Sequence, residues 1–335
     1  MQYKILGKTG LRVSRVGLGG IPVQRIDKPK TRALLEYLAH AGVNFIDSAR
    51  GYTVSEEYLG EALIGMRQQF VLATKSMARS YADMARDIDI SLANLQTDYI
   101  DVYQLHNIKT DADFALAFSD KGAVAAIQDA IRAGKIGHLG ATAHGVDAFR
   151  RLLGYDEIES IMFPYNIVEN QGEELMARAA AQNVGFIAMK PLAGGNITNG
   201  NLALRYILAN DNCTLAIPGM AELQEAKDNI SAAEESGFSQ EDSAEIAAIR
   251  AALSDNFCRR CGYCAPCVMG IDIPTCFTMQ GYLEKYGLAD WARTRYASFA
   301  AKAGACIGCG ACEARCPYDL PIRERLKRVK ELFGE

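Results

Sequence analysis

From the N-terminus to about residue 238, short β-branched and apolar runs alternate with longer stretches in which apolar positions recur at helical spacing. That alternation is the pattern of βα units around a parallel sheet. Eight runs have the length and character of strands: 15–18, 44–47, 70–74, 100–105, 136–141, 160–165, 185–189 and 213–217. Amphipathic segments at 31–40, 56–64, 84–95, 124–133, 173–182 and 202–209 lie between them. The pattern predicts an α/β fold, a (β/α)8 TIM barrel, in which active sites collect at the C-terminal ends of the strands. Residues 3–6 and 11–14, around Gly7-Lys8-Thr9-Gly10, read as a hairpin ahead of the barrel and placed to plug one end. Past the eighth strand, 222–236 and 241–253 read as helices, the second with Ser239 as its N-cap.

Composition alters this picture only at the C-terminal end. Of ten cysteines in 335 residues, nine lie in the last 78, from Cys258 onward. The expected division is a barrel with trailing helices over 1–256 and a small cysteine-bearing domain over 257–335, with no low-complexity linker between them. A hydrophobic share of 49% excludes a disordered chain, and a net charge of −4 gives no basic field for nucleic acid. The opening MQYKILGKTG lacks the apolar core of a secretory signal, and no apolar run approaches the roughly 20 residues that span a bilayer. The expectation is a soluble cytoplasmic protein without membrane or nucleic-acid partners. In a reducing compartment, clustered thiols serve metal ligation before disulfides.

Asp47 ends the second expected strand, Lys75 the third and His106 the fourth, and Tyr52 lies five residues past Asp47. Singly, Asp47 and Lys75 would pass for a partly buried ion pair, and Tyr52 and His106 for rim residues. Together they share one barrel mouth, and the convergence is the informative feature. The segments YKILGKTGLRVSRVGLGG, NFIDSARGY, VLATK, YIDVYQLH, GFIAMKPLAGG and TLAIPGM resemble those of the aldo-keto reductases, in that family's order, over roughly residues 1–235. The resemblance implies NAD(P)H-dependent reduction of an aldehyde or ketone to an alcohol, reversibly, on a small-molecule substrate. A tyrosine hydroxyl, with a reference pKa of about 10, protonates a developing alkoxide only when its acidity is raised. The expected roles are Tyr52 as general acid, Lys75 as the ammonium that stabilises its phenolate, Asp47 as the anchor of Lys75, and His106 as donor to the substrate carbonyl.

Cofactor contacts are expected from Gly19, Gly20, Thr142 and Asn166, from Lys190, Pro191, Leu192, Gly194 and Gly195 after the seventh strand, and from Gly219, Asp228 and Asn229. Glycines in the later loops let backbone amides approach a pyrophosphate, although Gly194 and Gly195 would equally serve a plain turn. Met189 and Met162 depart from the family's common tyrosine and glutamine, with Thr142, Ala143 and Asn166 left to supply the polar contact to the carboxamide. Glu225 aligns with an arginine that many members use to grip the 2′-phosphate of NADPH, and Gly219 and Met220 replace a Lys-Ser pair. A carboxylate there repels that phosphate and accepts from an unphosphorylated ribose, which tilts an open choice toward NADH.

The tail carries Cys258-x2-Cys261-x2-Cys264-x2-Cys267 and Cys306-x2-Cys309-x2-Cys312-x3-Cys316-Pro317. The second run has the bacterial ferredoxin spacing, whose fourth cysteine ligates the other cluster. The first run is one residue short before its last cysteine and is followed by Val268. Exchange pairs Cys258, Cys261 and Cys264 with Cys316, and Cys306, Cys309 and Cys312 with Cys267, for two [4Fe-4S] clusters. A single cluster, four-thiolate zinc or disulfides are the alternatives. Cys213, placed on the eighth strand, and Cys276 read as small buried hydrophobes. Gly262, Gly308, Gly310 and Ala311 flank the ligands, and Pro266 and the Ile271-Asp272-Ile273-Pro274 stretch are expected to form a ferredoxin-like turn. The tail resembles the iron-sulfur extension of one aldo-keto reductase branch. The last helix, 322–333, is basic on one side, a solvated face before a surface for an acidic redox partner.

Hydride transfer moves two electrons and a cubane one, and no flavin motif is present to convert between them. One reading is a carbonyl reductase whose cluster domain caps or shapes the pocket. Others are an electron-transfer protein with the barrel as docking platform for a redox partner, and a redox sensor with oxygen-labile clusters.

Overall fold

In the computed structural model, which describes residues 1–235 and 237–335, the barrel begins behind a short hairpin. Strands β1 (Tyr3–Ile5) and β2 (Arg12–Ser14) pair antiparallel around a 3-10 turn at Gly7–Thr9. Eight strands follow: β3 (Leu18–Gly19), β4 (Phe45–Asp47), β5 (Val71–Ser76), β6 (Ile100–Leu105), β7 (Ile136–Thr142), β8 (Ser160–Pro164), β9 (Gly185–Met189) and β10 (Leu215–Ala216). They form one parallel sheet in sequence order. Bridges Val16 to Ala216 and Gly19 to Gly219 join its first and last strands, which closes the barrel. Helices α1 (Lys28–His40), α2 (Ser55–Ala62), α3 (Tyr81–Asn94), α4 (Asp111–Ala117), α5 (Ala123–Arg132), α6 (Val146–Leu152), α7 (Glu173–Ala181), α8 (Gly200–Leu208) and α9 (Leu223–Ala232) connect and follow the strands.

Two apolar layers follow from strand alternation, which sends successive side chains to opposite faces. Outward residues such as Ile46, Leu72, Tyr103 and Phe186 pack beneath the helices, and inward ones such as Phe45, Ala73, Val102, Met162, Ile187 and Leu215 fill the barrel. Leu6 and Val13 belong to this inner cluster, so the hairpin plugs the barrel as expected. The plug demands glycine: a Cβ on Gly7, at φ +53°, would stand 2.2 Å from the Gly185 nitrogen.

The chain forms two compact units, Met1–Leu192 with Asn199–Gly237, and Ala193–Thr198 with Phe238–Glu335. The second contains α10 (Gln240–Ala252), capped by Ser239 as expected through the Asp242 amide at 3.1 Å. It continues with α11 (Ile273–Glu284), α12 (Ala289–Ala297), α13 (Ala311–Ala314) and α14 (Ile322–Phe333).

Several local expectations change. The first barrel strand is Leu18–Gly19 rather than 15–18. Cys213 precedes the last strand instead of lying on it, and β5 continues past Lys75 to Ser76. The Ile271-Asp272-Ile273-Pro274 stretch starts a helix: the Asp272 carboxylate caps the Thr275 amide, and Pro274 sits where a missing N–H costs nothing. Helices α4, α6, α11, α12 and α13 went unforeseen; α4 and α6 are single short stretches of two turns, too brief for periodicity to stand out. Of the helix expected over 222–236, α9 covers 223–232, and residue 236 lies outside the described residues. No helix among the described residues is long and apolar enough to cross a membrane.

Candidate functional site

At the C-terminal mouth of the barrel the register of neighbouring strands gathers the polar side chains. Asp47 is the last residue of β4, Lys75 the penultimate residue of β5, and His106 follows β6, its amide donating to the Ser76 carbonyl at 2.8 Å. Tyr52 comes from the loop between β4 and α2. The Lys75 Nζ donates to Asp47 Oδ2 at 2.5 Å and to the Ser48 carbonyl at 2.7 Å. It stands 4.8 Å from the centroid of the Tyr52 ring, and the His106 ring meets that ring edge-on at 6.0 Å and 89°. All four residues expected at the mouth are therefore together.

Asp47 and Lys75 are each only 2% exposed. Burial pushes the Asp47 carboxyl up, against the Lys75 charge and the Gln104 hydrogen bond that pull it down. Burial likewise pushes Lys75 down, opposed by the carboxylates of Asp47 and, farther off, Glu56. Each ion is tolerated in the apolar barrel because the other is there.

Supporting residues were not foreseen. Gln104, registered beside Lys75 and wholly buried, donates to Asp47 Oδ1 at 3.1 Å. Its sequence signal was its place two residues before His106, on the same strand face as the other inward residues. Glu56, also buried, accepts from Arg50, Thr74, Ser91 and Asn94 and ties the Tyr52 loop to β5 and α3. Arg79 donates to the carbonyls of His106 and Asn107 at 2.8 and 3.1 Å and fixes that loop. Nothing in the sequence separates Glu56 or Arg79 from solvated surface charges.

The residues expected around a dinucleotide are more dispersed. Gly19 and Gly219 form the bridge that closes the barrel, and a Cβ on Gly19 would stand 2.7 Å from the Ile217 carbonyl oxygen. The Gly20 amide donates to the Asp47 carbonyl. Thr142 ends β7, its hydroxyl accepting from the Asn107 amide at 2.7 Å. Asn166 donates to Glu169 and to the Lys190 carbonyl and accepts from the amides of Val168 and Glu169, so its carboxamide organises its own loop. Pro191 and Leu192 continue that chain, and Gly194 and Gly195, at φ +68° and +80°, belong to the second compact unit. Asn229 is buried in α9 and Asp228 is exposed beside Gln224. Glu225 accepts from the Ala221 and Glu222 amides at 2.7 and 3.1 Å, closing a capping box, and lies 3.8 Å from Arg25.

In the second unit the eight cysteines expected as ligands form no disulfide. Cys267, Cys306, Cys309 and Cys312 line one cavity together with Ile273, Ile307, Arg315 and Arg323. Burial pushes the Cys264 thiol up to about 12, and the adjacent Cys258 and Cys261 add to it. Burial also raises Cys261, with Cys316 contributing. Cys312, placed in the other group by the exchanged pairing, also raises Cys264, and raised thiols are those that a bound cation would ionise. Among the described residues no three such side chains are drawn to metal-ligating distance. Cys213 and Cys276 are wholly buried, as expected of small hydrophobes.

Closure of eight parallel strands with polar side chains at one mouth defines the class, a (β/α)8 barrel. Residues 15–202 match the profile of the Aldo/keto reductase family, and residues 257–321 that of the 4Fe-4S dicluster domain. The chain belongs to the aldo/keto reductase family and carries a 4Fe-4S dicluster domain at its C-terminal end. It is 26% identical over 303 residues to the L-galactose dehydrogenase of Arabidopsis thaliana, covering 74% of this chain and 94% of that one. The holo form of the aldo-keto reductase AKR11C1 from Bacillus halodurans superposes with a TM-score of 0.65 at 25% identity, over 74% of this chain and 96% of that one. A putative aldo-keto reductase from Pseudomonas aeruginosa gives 0.62 at 30% identity, over 69% and 94%.

Proposed function

We propose that the protein reduces an aldehyde or ketone to an alcohol with a reduced nicotinamide cofactor, with Tyr52 as general acid. The observation that carries this reading is the buried Lys75–Asp47 pair beneath the Tyr52 ring, with His106 at its edge. An ammonium below the ring stabilises phenolate and so makes the hydroxyl a better proton donor. Asp47 keeps Lys75 charged in a site where burial alone would neutralise it, and Gln104 holds Asp47. His106 donates a hydrogen bond to the substrate oxygen and orients the carbonyl. Tyr52 then gives its proton to the oxygen as it becomes negative, and takes it back in the oxidative direction. The bound dinucleotide supplies the hydride.

The chain fits a dinucleotide where the glycines are. At Gly194 and Gly195 nothing lies within 3.4 Å of the place a Cβ would take, so backbone there is open to a pyrophosphate. Two carboxylates, Glu222 and Glu225, occupy the N-terminus of α9 in their capping box. A 2′-phosphate meeting them would be repelled, so the reading favours NADH. The cavity with four thiols and the grouping of the other four support two [4Fe-4S] clusters, Cys267, Cys306, Cys309 and Cys312 for one and Cys258, Cys261, Cys264 and Cys316 for the other. Tyr52→Phe tests the chemistry: turnover of an aldehyde panel is expected to vanish with nicotinamide binding intact, and full turnover would overturn the assignment.

A further inference from the structure

The residue that follows His106 has an unusual backbone. Asn107 lies in the left-handed region, at φ +52°. Asparagine and aspartate tolerate that region better than other residues with a side chain, but the conformation still has to be held by neighbours. Three residues from two neighbouring loops hold it. The Asn107 amide donates to the Thr142 hydroxyl at the end of β7, at 2.7 Å, and the next amide, that of Ile108, donates to the Thr142 carbonyl at 3.0 Å. Arg79, past the end of β5, donates to the Asn107 carbonyl at 3.1 Å and is itself 3.4 Å from the Asp113 carboxylate. His144, past the end of β7, brings its Nδ1 to 3.0 Å from Asn107 Oδ1. All of these residues lie in the first compact unit.

The three contacts differ in what they ask of position 107. Thr142 and Arg79 meet the backbone, which any residue there other than proline would offer. At a positive φ glycine would be the unstrained choice. His144 meets the side chain, and so gives a reason for asparagine. A carboxamide oxygen only accepts, so in this contact the His144 ring carries a proton on Nδ1. The effect reaches His106 because the two residues share a peptide: the turn at Asn107 sets how the chain leaves His106, and a displacement of about 1 Å at a reacting group can cost about a hundredfold in rate.

We propose that His144 is a positioning residue for His106: it ties the Asn107 side chain to the loop after β7 and so fixes the direction in which the His106 ring meets the substrate carbonyl. The inference rests on the reading of His106 as the carbonyl donor. The barrel mouth then holds two histidines with separate tasks, one on the substrate and one on the backbone that carries the first.

The test uses the cluster-loaded full chain. It has four histidines, His40, His106, His138 and His144, so histidine-selective nitrogen-15 labelling gives a spectrum simple enough to read, each ring assigned by its loss in the matching alanine variant. Asn107→Gly suits the backbone and removes the tie; it is expected to shift the His106 and His144 ring signals and to leave His40 and His138 in place. In reduction of benzaldehyde by NADH, Asn107→Gly and His144→Ala are each expected to lower kcat about tenfold with the KM for NADH unchanged, and to cost nothing further in a His106→Ala chain. Asn107→Asp keeps an oxygen for His144 and should retain most of the rate. A His106 signal that stays in place in Asn107→Gly overturns the inference, as do losses in His144→Ala and His106→Ala that simply add, which would make His144 a general support of the fold. Full turnover in His106→Ala would instead remove the carbonyl-donor reading on which the inference rests.

Discussion

Removing either member of the Lys75–Asp47 pair strands the other in the barrel. At the 2.5 Å separation the attraction is about 7 kcal/mol with an effective dielectric of about 20, and it is largely offset by several kcal/mol of desolvation for each ion. The pair therefore adds little net stability, but a lone buried charge is costly. Lys75→Met and Asp47→Asn should each destabilise the barrel by about 3–5 kcal/mol, with Asp47→Asn at the lower end because the amide oxygen still accepts from Lys75. The double variant Lys75→Met/Asp47→Asn leaves no charge unpaired and should cost less than either single change. Urea titration of the cluster-loaded chain, followed by far-ultraviolet dichroism, gives the three values. Activity should not follow stability: all three variants are expected to lose turnover, because the ammonium under Tyr52 is gone or uncompensated in each. Single costs that simply add in the double variant would refute the reasoning, since they would mean that the two side chains act independently.

The pH profile follows from the directions of the two shifts. Lys75 is lowered by burial from 10.5, so its charged form is lost as pH rises through a value below 10.5, and carbonyl reduction should fall there. Asp47→Asn removes the largest opposing influence, and whatever residual turnover it retains should lose its alkaline limb at still lower pH. Asp47 is raised from 3.8, so its carboxylate is lost as pH falls through a value above 3.8, which sets the acidic limb. Comparison of kcat/KM should favour NADH over NADPH by about tenfold or more, and Glu225→Gln should narrow that ratio; preference for NADPH in the unaltered chain would contradict the role given to the carboxylates. Anaerobically purified protein should hold about eight iron and eight labile sulfide per chain, against four iron, or zinc, for the competing occupancies.

Periodicity carried the barrel because eight strands repeat one physical pattern, apolar residues facing helices and barrel alike. It failed where a repeat is too short to show it, as in α4 and α6, and where two residues of strand were at issue, as at Cys213. The charged and aromatic residues at the mouth were legible because their strand-end positions coincide. Gln104, Glu56 and Arg79 were not, since their roles come from burial and from partners 18 to 57 residues away. The cysteine spacing announced its chemistry directly, whereas the tie from His144 to Asn107 joins residues 37 positions apart and leaves no trace in local pattern.

Direct passage of hydrogen from nicotinamide to substrate is the central claim, and isotope transfer measures it. The cluster-loaded chain is given an aldehyde that it turns over and NADH bearing deuterium at the transferable ring position. The account predicts one deuterium at the carbinol carbon of the product, no solvent hydrogen there, and none of this transfer in Tyr52→Phe. Solvent hydrogen at that carbon, with turnover sustained by dithionite in the absence of nicotinamide, would contradict it and assign the reduction to single-electron transfer from the clusters.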